Sequence, residues 1–241
     1  MDQYVIKDGV AYLGPDLSEL ERRLFRSFEN LLVQKGFEYL SIPTSLPWEV
    51  ISRQGIVLPE YVLGVDDVHC LSGSAEQGIL SYFQGREVEP CRLFAENQCW
   101  RREQELDGLK TLQEFRKIEQ FSFVEPSNWR EEFELLLENA YQFLKEFDFL
   151  DVRVIECTDA DPGYHHMKCD IEVKTERYGW METHSCSYFA DEQVKRFDIE
   201  GDVHTISNTG LASPRILIPF IEAGIDPCEV EIVSTLEELE P

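Results

Sequence analysis

Cys99-Trp-Arg101-Arg-Glu103 and Gln113-Glu-Phe115-Arg-Lys-Ile-Glu119 are the two stretches that decide the fold prediction for this chain. They lie at the facing ends of two predicted strands, 92–100 and 114–124, which a polar turn around Asp107-Gly108 joins. Taken alone, an Arg-x-Glu on a strand is usually a solvated face or a surface ion pair, and a Phe in an alternating strand is usually core. Their order and context are more informative than either residue pattern by itself.

The elements around these strands follow from periodicity. Apolar residues at three- and four-residue steps predict a helix over 17–35 that Gly36 ends, and 127–147 is the clearest amphipathic helix. Further helices are predicted at 77–83 and 215–223, and further strands at 37–42, 152–157, 168–174, 179–187 and 204–208. Turns rather than helices join most of the later strands, which favours an α+β fold, an antiparallel β-sheet flanked by helices, in a single domain over 1–241. The acidic tail, 229–241, is expected to be partly solvated.

Composition narrows the function classes. The 241 residues carry 22 Lys+Arg against 47 Asp+Glu, a net charge of −25, with 43% hydrophobic content. Such a charge argues against a protein that binds nucleic acid through its phosphates. Apolar runs are too short for a membrane span, and the N-terminus has no secretory signal pattern. Seven cysteines without a C-x-x-C pattern predict reduced thiols and a cytoplasmic location.

The common catalytic motifs are absent from the sequence: it has no glycine-rich phosphate loop, no G-x-S-x-G and no paired-His zinc helix. Instead, three blocks resemble the motifs of class II aminoacyl-tRNA synthetases, at about 17–45, 92–124 and 204–223. Two more, Leu71-Ser-Gly-Ser74-Ala75-Glu76 and Glu182-Thr-His-Ser185-Cys186-Ser187, resemble segments of the seryl-tRNA synthetase branch. From about residue 17 to 223, the chain is similar to the catalytic domain of that branch.

The resemblance implies attack of an amino-acid carboxylate on the α-phosphate of ATP, which gives an aminoacyl-adenylate and pyrophosphate. Arg101 would bridge the carboxylate and the α-phosphate, and Arg215 would bind the γ-phosphate. Glu182 and Ser185 would bind the Mg²⁺ ion that accompanies ATP. Glu103 would face the adenine amino group. The implied catalytic residues are Arg101, Arg215 and Glu182, and the implied ATP-binding residues are Arg101, Glu103, Phe115, Glu182, Ser185 and Arg215.

The same resemblance implies a pocket for serine or another small amino acid. Its residues would be Ser74, Glu76, Arg101, Glu119, Asn208 and Thr209. Glu76 with the Ser74 loop would hold the ammonium, and Glu119 with Thr209 would bind a small polar side chain. An alternative for Glu119 is a strand-end carboxylate paired with Lys117 or Arg116. Zinc is not expected, because Glu76 stands where some relatives carry a Cys or His ligand.

The sequence also departs from the seryl branch. We expect no coiled-coil arm before the first motif and, with the negative charge, no strong tRNA binding. Thr111 replaces an arginine beside Lys110, Tyr188 replaces an asparagine, and Pro214 replaces a small residue. The leading hypothesis is therefore amino-acid activation with transfer to a non-canonical acceptor, either a carrier protein or a small molecule. The alternatives are aminoacylation of tRNA with a partner's help and a catalytically silent paralogue with a regulatory role. The first motif also predicts a homodimer.

Overall fold

The structure is a computed structural model of the chain, and it describes residues 3–55, 59–157, 164–230 and 232. The described strands are β1 (Tyr4–Lys7), β2 (Val10–Leu13), β3 (Glu38–Tyr39), β4 (Ser45–Pro47), β5 (His69–Leu71), β6 (Cys91–Trp100), β7 (Glu114–Val124), β8 (Val152–Glu156), β9 (Met167–Thr175), β10 (Gly179–Ala190) and β11 (His204–Ser213). The described α-helices are α1 (Pro15–Gln34), α2 (Trp48–Gln54), α3 (Ala75–Phe83), α4 (Trp129–Lys145), α5 (Glu192–Arg196) and α6 (Ile218–Glu222). Short 3₁₀ turns occupy Pro59–Tyr61 and Arg215–Leu217.

The central sheet has seven strands within the described ranges, in the order β3-β6-β7-β11-β10-β9-β8. Every neighbouring pair is antiparallel except the edge pair β3 and β6, which is parallel. The predicted α+β fold with an antiparallel sheet is confirmed. The short turns between the later strands allow this arrangement, because antiparallel neighbours need only short connections.

The two faces of this sheet have different coverings. Helices α1 and α4 pack on one face and form the larger core, in which Phe28 and Phe143 meet edge to face with ring centroids 5.1 Å apart. Gly210 in β11 permits this packing, because a Cβ at that position would overlap the ring of Phe28. The opposite face carries a second apolar cluster beneath α3 and α5, and it leaves part of the sheet uncovered for the site described below.

Several predicted elements differ from the structure in length. The strand predicted at 37–42 is reduced to Glu38–Tyr39, because Pro43 has no N–H and Leu40 makes a single further bond, to the Phe94 carbonyl. The helix predicted at 215–223 is a 3₁₀ turn followed by α6. Most of the tail predicted at 229–241 lies outside the described residues. Within the described part of the chain, no helix is long and apolar enough to cross a membrane.

Candidate functional site

A cavity of about 420 Å³ lies on the sheet face opposite α1 and α4. Strands β7, β10 and β11 form its floor, and the loop between β6 and β7 forms a wall. Most of the residues implied by the motifs line this one cavity: Ser74, Glu76, Arg101, Glu103, Phe115, Glu119, Glu182, Ser185, Thr209 and Arg215. The structure thus brings together side chains that lie up to about 140 positions apart in the sequence.

Two guanidinium groups lie at one end of the cavity. Arg101 follows β6 directly, its Nε donates to the carbonyl of Gly73 at 3.0 Å, and its guanidinium lies 5.2 Å from the centroid of the Phe115 ring. Arg215 begins the 3₁₀ turn after β11, and its Nε donates to the Lys110 carbonyl at 2.9 Å. Burial lowers the pKa of the Arg215 guanidinium below its ordinary value. Since carbonyl oxygens orient a guanidinium without cancelling its charge, this end suits an anion.

A buried polar network surrounds Glu119 at the other end. The Ser207 hydroxyl donates to Glu119 Oε1 at 2.7 Å, and the Ser74 hydroxyl donates to Oε2 at 3.2 Å. The ammonium of Lys117 forms an ion pair with the same carboxylate, whose side chain is 2% exposed. The pairing with Lys117 that the sequence left as an alternative is therefore present, and the same carboxylate also lines the cavity.

Glu76 lies next to this network, in the first turn of α3. Ser74 caps α3 by accepting from the Glu76 backbone N–H at 3.4 Å. The Glu76 carboxylate accepts from Gln193 Nε2 at 2.8 Å and from Gln54 Nε2. Burial and then the nearby Glu119 raise the pKa of Glu76 above its usual value. Two buried carboxylates beside one lysine favour a ligand that brings a positive charge.

The prediction that Asn208 belongs to the amino-acid pocket is wrong. Side chains alternate along β11, so Ser207 and Thr209 face the cavity while Asn208 points to the opposite face. There its Nδ2 donates to the Leu136 carbonyl of α4 at 2.6 Å.

Sequence reasoning also missed residues that line the cavity or support it. Ser187 and Ser207 could have been found from strand alternation next to Ser185 and Thr209. No local pattern indicated Gln54 and Gln193, because they reach Glu76 from separate helices, α2 and α5.

The positions that depart from the seryl branch divide between the cavity and the core. Lys110, Thr111 and Pro214 line the cavity near Arg215. Tyr188 lies elsewhere: it is stacked on Trp129 with ring centroids 4.1 Å apart. Across residues 3–55, 59–157, 164–230 and 232, no group of three or more His, Cys, Asp and Glu side chains could hold a metal ion.

The fold is the class II aminoacyl-tRNA synthetase catalytic fold. The family profile described as tRNA synthetase class II core domain (G, H, P, S and T) matches residues 64–222, and the chain belongs to this family. The serine–tRNA ligase of Deinococcus radiodurans is 33% identical over 239 residues, covering 87% of this chain and 55% of that protein. That of Finegoldia magna is 34% identical over 230 residues, covering 85% and 54%. This chain thus spans little more than half the length of these curated relatives.

Solved structures show the same fold at lower identity. The seryl-tRNA synthetase from Pyrococcus horikoshii, complexed with ATP, superposes with a TM-score of 0.82 at 23% identity, over 89% of this chain and 53% of that one. The cytoplasmic serine–tRNA ligase from Naegleria fowleri, in complex with AMP, gives a TM-score of 0.80 at 21% identity, over 89% and 56%.

Proposed function

We propose that this protein activates serine or another small amino acid with ATP, forming an aminoacyl-adenylate, and transfers the acyl group to a non-canonical acceptor. The observation that carries the proposal is the polarity of one continuous cavity. Two guanidiniums, Arg101 and Arg215, lie at one end, and two buried carboxylates, Glu76 and Glu119, lie at the other. Membership of the class II core family supports the same reading.

Activation needs no protein nucleophile, because the substrate carboxylate attacks the α-phosphate itself. The protein must bring two anions together and stabilise the charge that develops between them. Arg101 is suited to both anions, since its fork can bond the carboxylate and the α-phosphate together. Arg215 would bind the γ-phosphate, Glu103 would face the adenine amino group, and Phe115 would stack on the ring.

Magnesium fits this end of the cavity when it arrives with the nucleotide. Glu182 and Ser185 both line it and offer a carboxylate and a hydroxyl, oxygen donors that Mg²⁺ prefers. Protein sites for Mg²⁺ commonly supply one or two such groups and leave the other positions to phosphate and water. When bound, the ion would neutralise phosphate charge during the transfer.

The acidic end would hold the amino acid. Glu76 with Ser74 would take the ammonium, and Glu119 with Thr209 would take a small polar side chain. The Glu119 carboxylate, which accepts from Ser207 and Ser74, has a fixed orientation, and a serine hydroxyl would donate a further hydrogen bond to it, whereas alanine has no side-chain donor. That selection favours serine over alanine.

The acceptor is proposed to be a carrier protein or a small molecule in the cytoplasm, since the net charge of −25 opposes approach of a polyanion such as tRNA. A second candidate acceptor is tRNA, which the names of the relatives suggest; its aminoacylation would then need the help of a partner. A catalytically silent regulatory paralogue is the third. We also propose that the region of α1 and β3 forms a homodimer interface, which size-exclusion chromatography with light scattering would test.

Exchange of radiolabelled pyrophosphate into ATP, measured with each proteinogenic amino acid, tests activation. We expect exchange with serine or another small amino acid, and a loss of about 100- to 1,000-fold in Arg215→Ala. The matched control is Arg177→Ala, which removes an exposed guanidinium that lies 3.2 Å from Asp107 and should leave exchange unchanged. No exchange with any amino acid would contradict the proposal, and ATP binding without exchange would favour the silent paralogue.

A further inference from the structure

Three buried glutamines belong to a chain of hydrogen bonds that ends at Glu76. The Gly73 backbone N–H donates to Gln77 Oε1 at 2.8 Å, and Gln77 Nε2 donates to Gln54 Oε1 at 2.8 Å. Gln54 Nε2 and Gln193 Nε2 then both donate to Oε1 of the Glu76 carboxylate. Each of the three glutamines is at most 2% exposed. We call this chain of hydrogen bonds the amide relay.

The amide relay has one direction. A backbone N–H can only donate, so Gln77 must turn its carbonyl oxygen toward Gly73 and its amide nitrogen toward Gln54. Gln54 then accepts from Gln77 and has its own N–H groups left for Glu76. An amide turned the other way would set two buried oxygens against each other, which is costly away from water. Glu76 therefore meets an N–H donor on Oε1.

These donors favour the ionised form of Glu76. Burial raises the pKa of the Glu76 carboxyl, and the hydrogen bond from Gln54 acts in the opposite direction. The other groups that influence or face this carboxyl are Glu119, Lys117 and Ser207 on the sheet and Tyr164 before β9. Because hydrogen bonds to a charged group are stronger than those between neutral groups, two amides on one oxygen are an effective counterweight to burial.

The second oxygen of Glu76 is accessible to a ligand. The Ser207 hydroxyl has a single proton, which it donates to Glu119, so Glu76 Oε2 has no donor among the described residues. Oε2 is also not one of the fully buried polar atoms that lack a partner, and Glu76 lines the cavity. An ammonium in the cavity can therefore reach Oε2 while the amides hold Oε1.

The other end of the amide relay lies next to Arg101. Arg101 Nε donates to the Gly73 carbonyl at 3.0 Å, and the N–H of the same Gly73 begins the relay. One residue thus ties the guanidinium at one end of the cavity to the carboxylate of Glu76. An α-amino acid carries its ammonium and its carboxylate on one carbon, so the groups that bind them must be held at a fixed separation.

We propose that the three glutamines of the amide relay are positioning residues for the amino-acid substrate. They keep Glu76 ionised, direct its Oε2 into the cavity and fix its distance from Arg101. This inference rests on the proposed activation, in which Glu76 takes the substrate ammonium. It adds that the strength of amino-acid binding depends on amide groups that do not touch the substrate.

Pyrophosphate exchange at pH 8 tests the role of the amides. The KM is measured for serine, alanine or glycine, whichever supports the fastest exchange, and separately for ATP. Gln193→Leu and Gln54→Leu should each raise the KM for the amino acid about ten-fold or more, because each removes a hydrogen bond to a charged group. The KM for ATP should change less than three-fold. The matched control is Gln142→Leu, which removes an exposed amide that donates to Glu138 at 2.5 Å and should alter neither KM.

The variant Gln54→Glu distinguishes positioning from structural support. It keeps the shape of the side chain, but when ionised it sets an acceptor against Glu76 Oε1, and when protonated it donates as the amide did. The KM for the amino acid in Gln54→Glu should therefore fall at least five-fold between pH 8 and pH 6, whereas Gln54→Leu should show no such recovery. Gln142→Glu adds the same charge at an exposed position and should follow the wild-type profile.

The wild-type protein provides a measurement that does not depend on folding of a variant. If the amide relay keeps Glu76 ionised, its KM for the amino acid should change less than three-fold between pH 8 and pH 6.5. A rise of ten-fold or more over that range would overturn the positioning role. So would an unchanged KM in the leucine variants, or the same pH profile in Gln54→Glu and the wild type. Each of these results leaves activation intact, whereas no exchange by the wild type would overturn both proposals.

Discussion

Replacing Lys117 with methionine should destabilise the protein far more than the same change at an exposed lysine. The side chains of Lys117 and Glu119 are 10% and 2% exposed, and Lys117 also donates to the Ser74 hydroxyl at 3.3 Å. Methionine keeps most of the volume but removes the charge. The Glu119 carboxylate would then lie buried without its cation and beside Glu76, whose pKa burial and Glu119 already raise.

The expected magnitude follows from the burial of the pair. Removing one partner of a buried ion pair costs about 3–5 kcal/mol, because the remaining charge stays desolvated. For a chain of this size each kcal/mol lowers Tm by about 2–4 °C, which predicts a fall of roughly 6–20 °C. The control is Lys174→Met, since Lys174 lies 3.8 Å from Asp151 and the two side chains are 58% and 73% exposed. An exposed pair of this kind is worth about 0–1 kcal/mol.

Urea unfolding and thermal unfolding of both variants measure the difference. The double variant Lys117→Met with Glu119→Gln should recover part of the loss, because it removes the stranded charge. If Lys117→Met and Lys174→Met lower the free energy of unfolding equally, the buried Lys117–Glu119 pair does not make the expected contribution to stability.

Two further predictions concern stability. The pKa of Glu29 is raised to about 7, first by burial and then by a hydrogen bond with Glu96, so the folded protein holds this proton more tightly than the unfolded chain does. The free energy of unfolding should therefore fall as pH rises from 4.5 to 7, and this dependence on pH should be weaker in Glu29→Gln. Urea unfolding at several pH values measures it. The same pH dependence in the wild-type protein and in Glu29→Gln would contradict the raised pKa of Glu29. Gly210→Ala should lower the free energy of unfolding by about 1–3 kcal/mol, because the new methyl group overlaps the ring of Phe28. An unchanged Tm would show that α1 can shift to make room for the methyl group without loss of stability.

The parts of the fold that were predicted are those with long, regular patterns. Strand β7 was predicted with its observed bounds, and α1 and α4 were predicted to within two residues at each end, because their apolar stripes cover four or more turns. The missed elements, among them the β1–β2 hairpin and helices α2 and α5, have three to seven residues each and little periodicity of their own. Contacts with distant parts of the chain stabilise them, and such contacts leave no local signal.

The residues of the candidate site likewise fall into those that the sequence predicted correctly and those that it did not. Resemblance to known motifs pointed to residues such as Arg101 and Arg215, and the structure gathers these around one cavity. It also led to the error at Asn208, where matching by motif ignored the alternation of β11.

The central claim is that one cavity holds a nucleotide at the Arg215 end and an amino acid at the Glu119 end. A crystal structure of the protein with a non-hydrolysable seryl-sulfamoyl adenosine tests it most directly. We expect the adenine to lie against Phe115 and the seryl group to lie within hydrogen-bonding distance of Glu119. Adenosine bound outside this cavity, or a seryl group pointing away from Glu119, would contradict it.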